Sequence, residues 1–211
     1  MLKNLRKSAL VAGATVGALA LVAAPAMADP SNVWTVSPSP ANYDATNSTN
    51  IVLSVNGIAM TCTYADASGT MQSATGNPGV VGSIDSTNFG TAAVPCTSLL
   101  GQVIAVQNAP WTVEAVDYDS ATGVTTGYIG NVDATVQAGA CTFRVEGEAS
   151  GTYNNSSGTL SVNSNSTDDL VITESTNCGG IAPVGARPTF TGDYHVVVDG
   201  TTASPSIVGS N

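Results

Sequence analysis

Short segments of alternating apolar and polar residues, separated by turn residues, constrain the fold of this chain more than any other feature. Clusters of Gly, Asn, Asp and Ser recur along the sequence, and no window after residue 28 has a helical period. Successive residues of a strand point to opposite faces of its sheet, so this alternation is typical of half-buried strands. The pattern predicts an all-β fold, a single antiparallel sandwich or flattened barrel.

Three segments, residues 58–64, 141–146 and 189–198, show the alternation best and define a predicted core. Their inward faces are expected to carry Ile58, Met60, Cys62, Tyr64, Cys141, Phe143, Val145, Phe190, Tyr194, Val196 and Val198. Asn56-Gly57, just before the first segment, is a pair that favours a two-residue hairpin turn. Residues 37–49 contain two prolines and many polar residues, which predicts an irregular loop or an early edge strand.

The first 28 residues have the pattern of a secretory signal peptide. Lys3, Arg6 and Lys7 precede an apolar run that ends in Ala26-Met27-Ala28. A basic start, a short apolar stretch and small residues before the cleavage point define such a leader. We therefore expect a secreted all-β domain at residues 29–211, either released or retained in the cell envelope. No later stretch is apolar over the roughly 20 residues that a transmembrane helix needs, so we expect no transmembrane segment.

The domain that follows the leader is strongly acidic. It contains no lysine, and only Arg144 and Arg187 oppose its fifteen Asp and Glu residues, a formal charge of −13. Binding to nucleic acid phosphates and to anionic membranes depends on clustered Lys and Arg side chains. We therefore exclude nucleic acid and anionic membrane surfaces as main partners, and we expect no cofactor.

Four cysteines suit an oxidising compartment outside the cell. Four cysteines allow three disulfide connectivities, and sequence alone does not choose among them. We favour Cys62–Cys96 and Cys141–Cys178, because each pair brackets a similar length of chain. A zinc site is the weaker interpretation, since the chain has no CxxC pair and only one histidine.

The domain offers few groups for catalysis. Its one histidine, His195, is expected on the outward face of a strand, where its cross-strand neighbours should be Thr rather than a nucleophilic Ser. Carboxylate pairs such as Glu146 and Glu148 could in principle hydrolyse a glycoside. Such enzymes line the sugar cleft with aromatic rings, and this chain has few of them. We expect the protein not to be an enzyme.

Trp111 is the first candidate for ligand binding. It follows Pro110, and we interpret it as a buried anchor beside one disulfide. The alternative interpretation is a stacking platform for a sugar or an apolar ligand. Tyr118, further along the same segment, is the second candidate ligand-binding residue.

Calcium is the most plausible ion for this chain. Asp117, Asp119, Asp168 and Asp169 lie in or near loops rich in carbonyl and hydroxyl oxygens, which are the ligands that calcium takes. None of these loops matches an EF-hand, and simple solvated loops are the default explanation. Asp117 and Asp119 are therefore only weak candidates for a calcium site.

Several short motifs resemble those of two groups of exported proteins. The motifs are Cys62-Thr63-Tyr64, Ala109-Pro110-Trp111-Thr112-Val113, the hairpin at 122–127, Cys141-Thr142-Phe143 and Gly151-Thr152-Tyr153-Asn154-Asn155. With the leader, they are similar to uncharacterised secreted β proteins of actinobacteria. An early cysteine, a later Pro-Trp and a final Asn-rich hairpin also resemble exported proteins named as activators of alkane oxidation. This resemblance implies action outside the cell, at a hydrocarbon interface or in a biofilm matrix, and brings no catalytic residues.

The function that these observations favour is non-enzymatic, a secreted envelope or extracellular-matrix protein with a Thr/Ser-rich surface. The alternative is an extracellular binding module for carbohydrate or for an apolar ligand such as a hydrocarbon or lipid, with or without calcium. Flat, Thr-rich edge strands can also pair between molecules, because unpaired strand edges invite association. The ligand and the oligomeric state stay open at this point.

Overall fold

The computed structural model describes residues 31–165 and 170–211, in which every helix or strand element is a β-strand. In chain order the strands are β1 (Val33–Ser37), β2 (Ala41–Asn47), β3 (Ile51–Val55), β4 (Ile58–Cys62), β5 (Ala65–Met71), β6 (Ala74–Thr75), β7 (Gly79–Phe89), β8 (Cys96–Ser98), β9 (Gly101–Gln107), β10 (Trp111–Asp119), β11 (Val124–Ala138), β12 (Cys141–Asn154), β13 (Thr159–Ser164), β14 (Val171–Thr176), β15 (Thr189–Val198) and β16 (Ser206–Ser210). The predicted leader and the calcium candidates Asp168 and Asp169 lie outside the described residues.

Eight strands form a closed antiparallel ring. The order around the ring is β10, β11, β12, β13, β15, β2, β5 and β7, and β7 pairs back to β10. This closed sheet is the flattened barrel of the predicted fold class, which is confirmed. Because the sheet closes on itself, each of these strands has a hydrogen-bonded neighbour on both sides and no free edge along its paired residues.

A second layer of strands extends from the ring. The long strands β11 and β15 are connected through β9, β8, β4 and β3, and β14 pairs with the first half of β12. Here "second layer" means β3, β4, β8, β9 and β14 together with the parts of β11, β12 and β15 that pair with them. β11, β12 and β15 therefore belong to both parts of the fold.

A bulge in β11 makes this sharing possible. The register between β11 and β12 shifts between Ile129 and Val132. Asn131, inside the shift, has a φ of 53°, and Gly147 on β12 has a φ of 126°. Positive φ is uncommon outside glycine, and Asn tolerates it better than most residues. The bulge bends β11, so that its first half pairs with β10 and its second half with β9.

The predicted two-residue turn is present between β3 and β4. Asn56 and Gly57 have φ values of 48° and 82°, and the flanking residues Val55 and Ile58 are directly paired. Positive φ at both central positions is what this turn type requires. The prediction of a hairpin at this point is confirmed.

The predicted inward faces agree closely with the burial of the side chains. Met60, Cys62, Cys141, Phe143, Val145, Tyr194 and Val196 are all buried. Tyr64 is an exception because β4 ends at Cys62, so Tyr64 lies in the connection to β5 and is exposed. The predicted loop or edge strand at residues 37–49 is wrong for its second half, since β2 lies inside the ring between β15 and β5.

A small sheet of β16, β1 and β6 packs against the ring. The Thr125 hydroxyl of the ring donates to the Ile207 carbonyl oxygen at 2.8 Å, and the Tyr153 hydroxyl donates to the Pro205 carbonyl oxygen at 2.7 Å. Trp34 of β1 is completely buried, and Ile207 of β16 is nearly so. The C-terminal strand is therefore part of the core.

Both predicted disulfides are present. Cys62 is bonded to Cys96, and Cys141 to Cys178, with Cα–Cα distances of 4.3 Å in both pairs. The first bridge joins β4 to β8, and the second joins the start of β12 to the segment after β14. Both bridges therefore lie in the second layer.

Candidate functional site

An apolar cavity of about 80 Å³ is lined mainly by strands of the second layer. The described residues that line it are apolar side chains and one disulfide cysteine: Ile51, Leu53, Met60, Cys62, Phe89, Val103, Ala105, Trp111, Val132, Ala134, Val136, Val145, Leu170 and Phe190. Protein interiors are normally packed with few voids larger than a water molecule. A cavity of this size in so small a core is therefore a feature that needs an explanation.

Strand alternation places the cavity residues. On β9, Val103 and Ala105 point inward, while the alternate residues Ile104 and Val106 are exposed. β11 turns Val132, Ala134 and Val136 inward in the same way. Two of the inward side chains are alanines from different strands, Ala105 and Ala134, and their small volume leaves the space open.

Trp111 forms part of the cavity wall. Its side chain is only 7% exposed, and its indole Nε1 donates to the carbonyl oxygen of Asp133 at 3.2 Å. A buried indole N–H generally needs such a partner, and this bond holds the ring in place. Cys62 lines the same cavity, which agrees with the interpretation of Trp111 as a buried anchor beside a disulfide. A role in ligand binding stays a prediction, and it would operate from inside the fold.

Tyr118 is far from this cavity. It lies seven residues along β10 from Trp111, which at the usual rise of a strand is about 20 Å. Its side chain is half-buried and packs on the core at the opposite end of the strand. The structure therefore does not bring the two predicted ligand-binding residues together.

Asp117 and Asp119 stabilise the β10–β11 hairpin through local hydrogen bonds. The Asp119 carboxylate accepts from the Thr122 hydroxyl at 2.7 Å and from the Ala121 amide at 2.8 Å. These bonds, the Thr122 bond first, lower the pKa of Asp119. Asp117 accepts from the Tyr118 amide at 2.8 Å. Within residues 31–165 and 170–211, no group of three or more His, Cys, Asp or Glu side chains could hold a metal ion.

A gap in the sheet lies beside the cavity. β7 pairs with β10 only as far as Ile84, and β9 pairs with β8 only as far as Val103. Beyond these points the two strands face each other across a groove of about 390 Å³ that residues 85–90 and 105–110 line. Phe89 and Ala105 line both the groove and the cavity. We call this place the mouth of the cavity.

Two aromatic rings stand beside the mouth. Phe89 and Phe190 make an edge-to-face contact, with ring centroids 6.4 Å apart and planes at 83°. Both rings line the cavity, and both are only partly buried. Their contact closes part of the apolar wall between the interior and the solvent.

A charged cluster lies behind Trp111 on the outer face of the sheet. Arg144 donates to the two carboxylate oxygens of Asp133 at 2.8 and 2.7 Å, and it reaches Glu146 and Glu174 at 3.1 Å. The Arg144 hydrogen bonds are the main reason that the pKa of Asp133 is lowered. The alternation over residues 141–146 predicts that Arg144 and Glu146 point outward. It does not predict that Asp133 lies beside Arg144, because that position depends on the register between β11 and β12.

His195 has the surroundings that the sequence predicted. His195 is exposed, and the residues directly opposite it on the neighbouring strands are Thr159 and Thr46. A hydrolytic triad needs a serine and a carboxylate on the two sides of the histidine. The two cross-strand positions supply neither.

The sequence comparisons agree with one of the two resemblances. A family model described as "Alkane oxidation protein activator PraA/PraB-like" matches residues 5–193. No curated protein and no solved structure matches the chain. None of the described residues lies in a helix long and apolar enough to cross a membrane. The resemblance to activators of alkane oxidation is confirmed, and the chain belongs to the PraA/PraB-like family.

Proposed function

We propose that this protein is an exported, non-enzymatic accessory protein of hydrocarbon use that binds a short length of alkyl chain in its apolar cavity. The observation that carries the proposal is the wall of the cavity, in which all the described lining residues are apolar. The family description names alkane oxidation, and an apolar cavity is the feature of this fold that suits such a molecule.

The size of the cavity sets how much of a chain it can hold. An apolar cavity of about 150 Å³ stays dry and binds benzene. The cavity of about 80 Å³ is roughly half that volume, so it takes a few carbon atoms rather than a whole long alkane. At about 0.8 kcal/mol for each buried methylene, three carbons contribute about 2.4 kcal/mol. Binding is therefore weak and reversible, which suits a protein that passes hydrocarbon on.

Exposed apolar side chains near the mouth support contact with a hydrocarbon phase. Ile104 and Val106, on the outward face of β9, are 49% and 53% exposed. Val106 also lines the groove at the mouth. A hydrocarbon surface that covers these side chains would place the groove against the source of the ligand.

The non-enzymatic part of the proposal rests on the lack of paired catalytic groups at the cavity. None of the described residues that line it has a side chain that titrates, since Cys62 is in a disulfide. General acid–base catalysis needs a titrating group within hydrogen-bond reach of the substrate. The disulfides favour an oxidising location outside the cytoplasm, which agrees with export.

A second candidate function is that of an envelope or matrix protein that associates with itself. Leu99, at the tip of the β8–β9 hairpin, is 87% exposed, and it lies on the same hairpin as Ile104 and Val106. Clustered exposed apolar side chains favour association. Sedimentation velocity over a range of concentrations tests this function, and a monomer at all concentrations would contradict it.

Tryptophan fluorescence tests alkyl binding directly. The chain has two tryptophans, so a Trp34→Phe variant leaves Trp111 in the cavity wall as the single reporter. Addition of n-pentane to the oxidised protein should change Trp111 emission, with a response proportional to the bound fraction. Ala134→Leu, which fills the cavity, should remove the response. An unchanged emission up to the solubility limit of n-pentane, with no shift of NMR signals from Ala105 and Ala134, would contradict the proposal.

A further inference from the structure

We infer that the mouth of the cavity recognises a hydroxyl group, so that the preferred ligand is a short primary alcohol rather than an alkane or a carboxylate. This inference rests on the proposed function, because it assumes that the alkyl part of the ligand occupies the cavity. It adds a polar contact that the apolar cavity alone does not provide.

Two buried oxygen atoms at the mouth carry the inference. Four side-chain oxygens of the described residues are buried without a hydrogen-bond partner, those of Thr87, Gln107, Ser164 and Thr173, and the first two, Thr87 Oγ1 and Gln107 Oε1, lie at the mouth. Both residues line the groove, on the two strands that flank the gap. Gln107 follows Val103 and Ala105 on the inward side of β9. Buried polar atoms are almost always paired in folded proteins, so two unpaired atoms at one opening call for an explanation.

The hydrogen bonds of Gln107 fix what its free oxygen can do. Its Nε2 donates to the carbonyl oxygens of Ile84 at 2.8 Å and Ala109 at 2.9 Å. Both amide protons are therefore used, and Oε1 can only accept a hydrogen bond. Thr87 Oγ1 can either donate or accept. A ligand hydroxyl suits this pair, because it donates to Gln107 and accepts from Thr87.

The charges around the mouth disfavour a carboxylate. Asp85 lines the groove, and none of its described lining residues is Lys or Arg. A carboxylate has no proton to donate to Gln107 Oε1, and the Asp85 charge repels it. An alkane occupies the cavity but leaves both oxygens unpaired, and an unpaired buried polar atom lowers stability. An alcohol is the ligand class that meets both the apolar wall and the two oxygens.

The position of the hydroxyl predicts a dependence on chain length. With the hydroxyl at Thr87 and Gln107, the alkyl chain extends past Phe89 and Ala105 into the cavity. Each added methylene should tighten binding about fourfold until the cavity is full. Because the cavity has about half the volume of a benzene-sized cavity, that limit is reached when about three carbons lie inside it. Longer primary alcohols should show no further gain.

The test compares 1-pentanol, n-pentane and pentanoate on the Trp34→Phe protein with intact disulfides. The initial slope of Trp111 emission against ligand concentration reports relative affinity without saturation. We expect a slope for 1-pentanol about tenfold that for n-pentane, and no response to pentanoate at neutral pH. Equal slopes for the alcohol and the alkane would overturn the inference while leaving the proposed function intact. No response to either ligand would overturn both.

A pair of threonine variants separates recognition from folding. Thr87→Val keeps the shape of the side chain and removes an unpaired oxygen, so it should fold at least as stably as the parent. It should reduce the 1-pentanol slope about fivefold and leave the n-pentane slope unchanged. Thr97→Val, at an exposed position on β8, is the matched control and should change neither slope. Loss of the n-pentane response in Thr87→Val would show that Thr87 only shapes the cavity, and would overturn its role as a hydroxyl partner.

Discussion

A larger side chain at a residue that lines the cavity should stabilise the protein, although small-to-large substitutions in a core usually destabilise a protein. Ala134→Val adds two methyl groups at a position that lines the cavity. Burial of two methyl groups contributes about 1.6 kcal/mol at about 0.8 kcal/mol each. A second estimate agrees, because a cavity of about 80 Å³ costs about 1.9 kcal/mol at about 24 cal/mol per Å³. We therefore expect Ala134→Val to stabilise the protein by about 1–1.5 kcal/mol.

Ala138→Val is the matched control for this prediction. Ala138 is on the same face of β11 and only 1% exposed, but it does not line the cavity. Two methyl groups in a packed core cost about 1–3 kcal/mol, so this variant should be less stable than the parent. Urea unfolding with intact disulfides measures the free energy of unfolding of both variants, and the dependence of this free energy on urea concentration (the m-value) should be the same as in the parent. Similar destabilisation by the two variants would refute the reasoning, because it would mean that the space beside Ala134 is already filled.

Three further predictions concern the parts of the fold that support the site. Replacement of Cys62 and Cys96 by Ala removes a bridge that closes 34 residues; it should cost about 4 kcal/mol and lower Tm by about 8–16 °C. The pKa of Asp133 is lowered, mainly by its hydrogen bonds from Arg144. The ionised Asp133 therefore contributes to the free energy of unfolding above pH 4, and this contribution is lost as the pH falls through the lowered pKa. Asp133→Asn should flatten this loss in urea unfolding between pH 6 and pH 2, and an unchanged profile would contradict it. Burial raises the pKa of Tyr153 to about 12, so the stability that its neutral side chain contributes should be lost as pH rises from about 10 to 12. Tyr153→Phe should remove this loss of stability in thermal melts at alkaline pH.

Local features of the sequence predicted the strands, one turn and the disulfides. Alternation over residues 141–146 gives a buried face because each strand has only two faces. Asn56-Gly57 forms a turn because Asn and Gly adopt the positive φ values of this turn at a low cost in free energy. The disulfide pairing followed from loop lengths of 34 and 37 residues, which happened to be the pairing that the topology permits.

The cavity and its mouth could not be predicted from the sequence. Ala105 and Ala134 are on different strands, and the register between β9 and β11 brings them to the same cavity. The position of the mouth depends on where the β7–β10 pairing and the β9–β8 pairing end. The end of a strand pairing is set by the register of the strands and not by the local sequence. The segment at 37–49 shows the same limit, because its prolines precede β2 and do not interrupt it.

The location of the disulfides gives a physical reason why the fold tolerates a cavity and, beside it, two unpaired oxygens. A cavity of about 80 Å³ lowers stability by about 2 kcal/mol, and each unpaired buried oxygen adds about 1–3 kcal/mol. Each disulfide contributes about 4 kcal/mol by limiting the unfolded chain, and both disulfides lie in this layer. Neither bridge joins two strands of the ring of eight strands, whose sheet closes on itself. The bridges are therefore placed where an open interior has to be held together, and Cys62 belongs to both the bridge and the cavity wall.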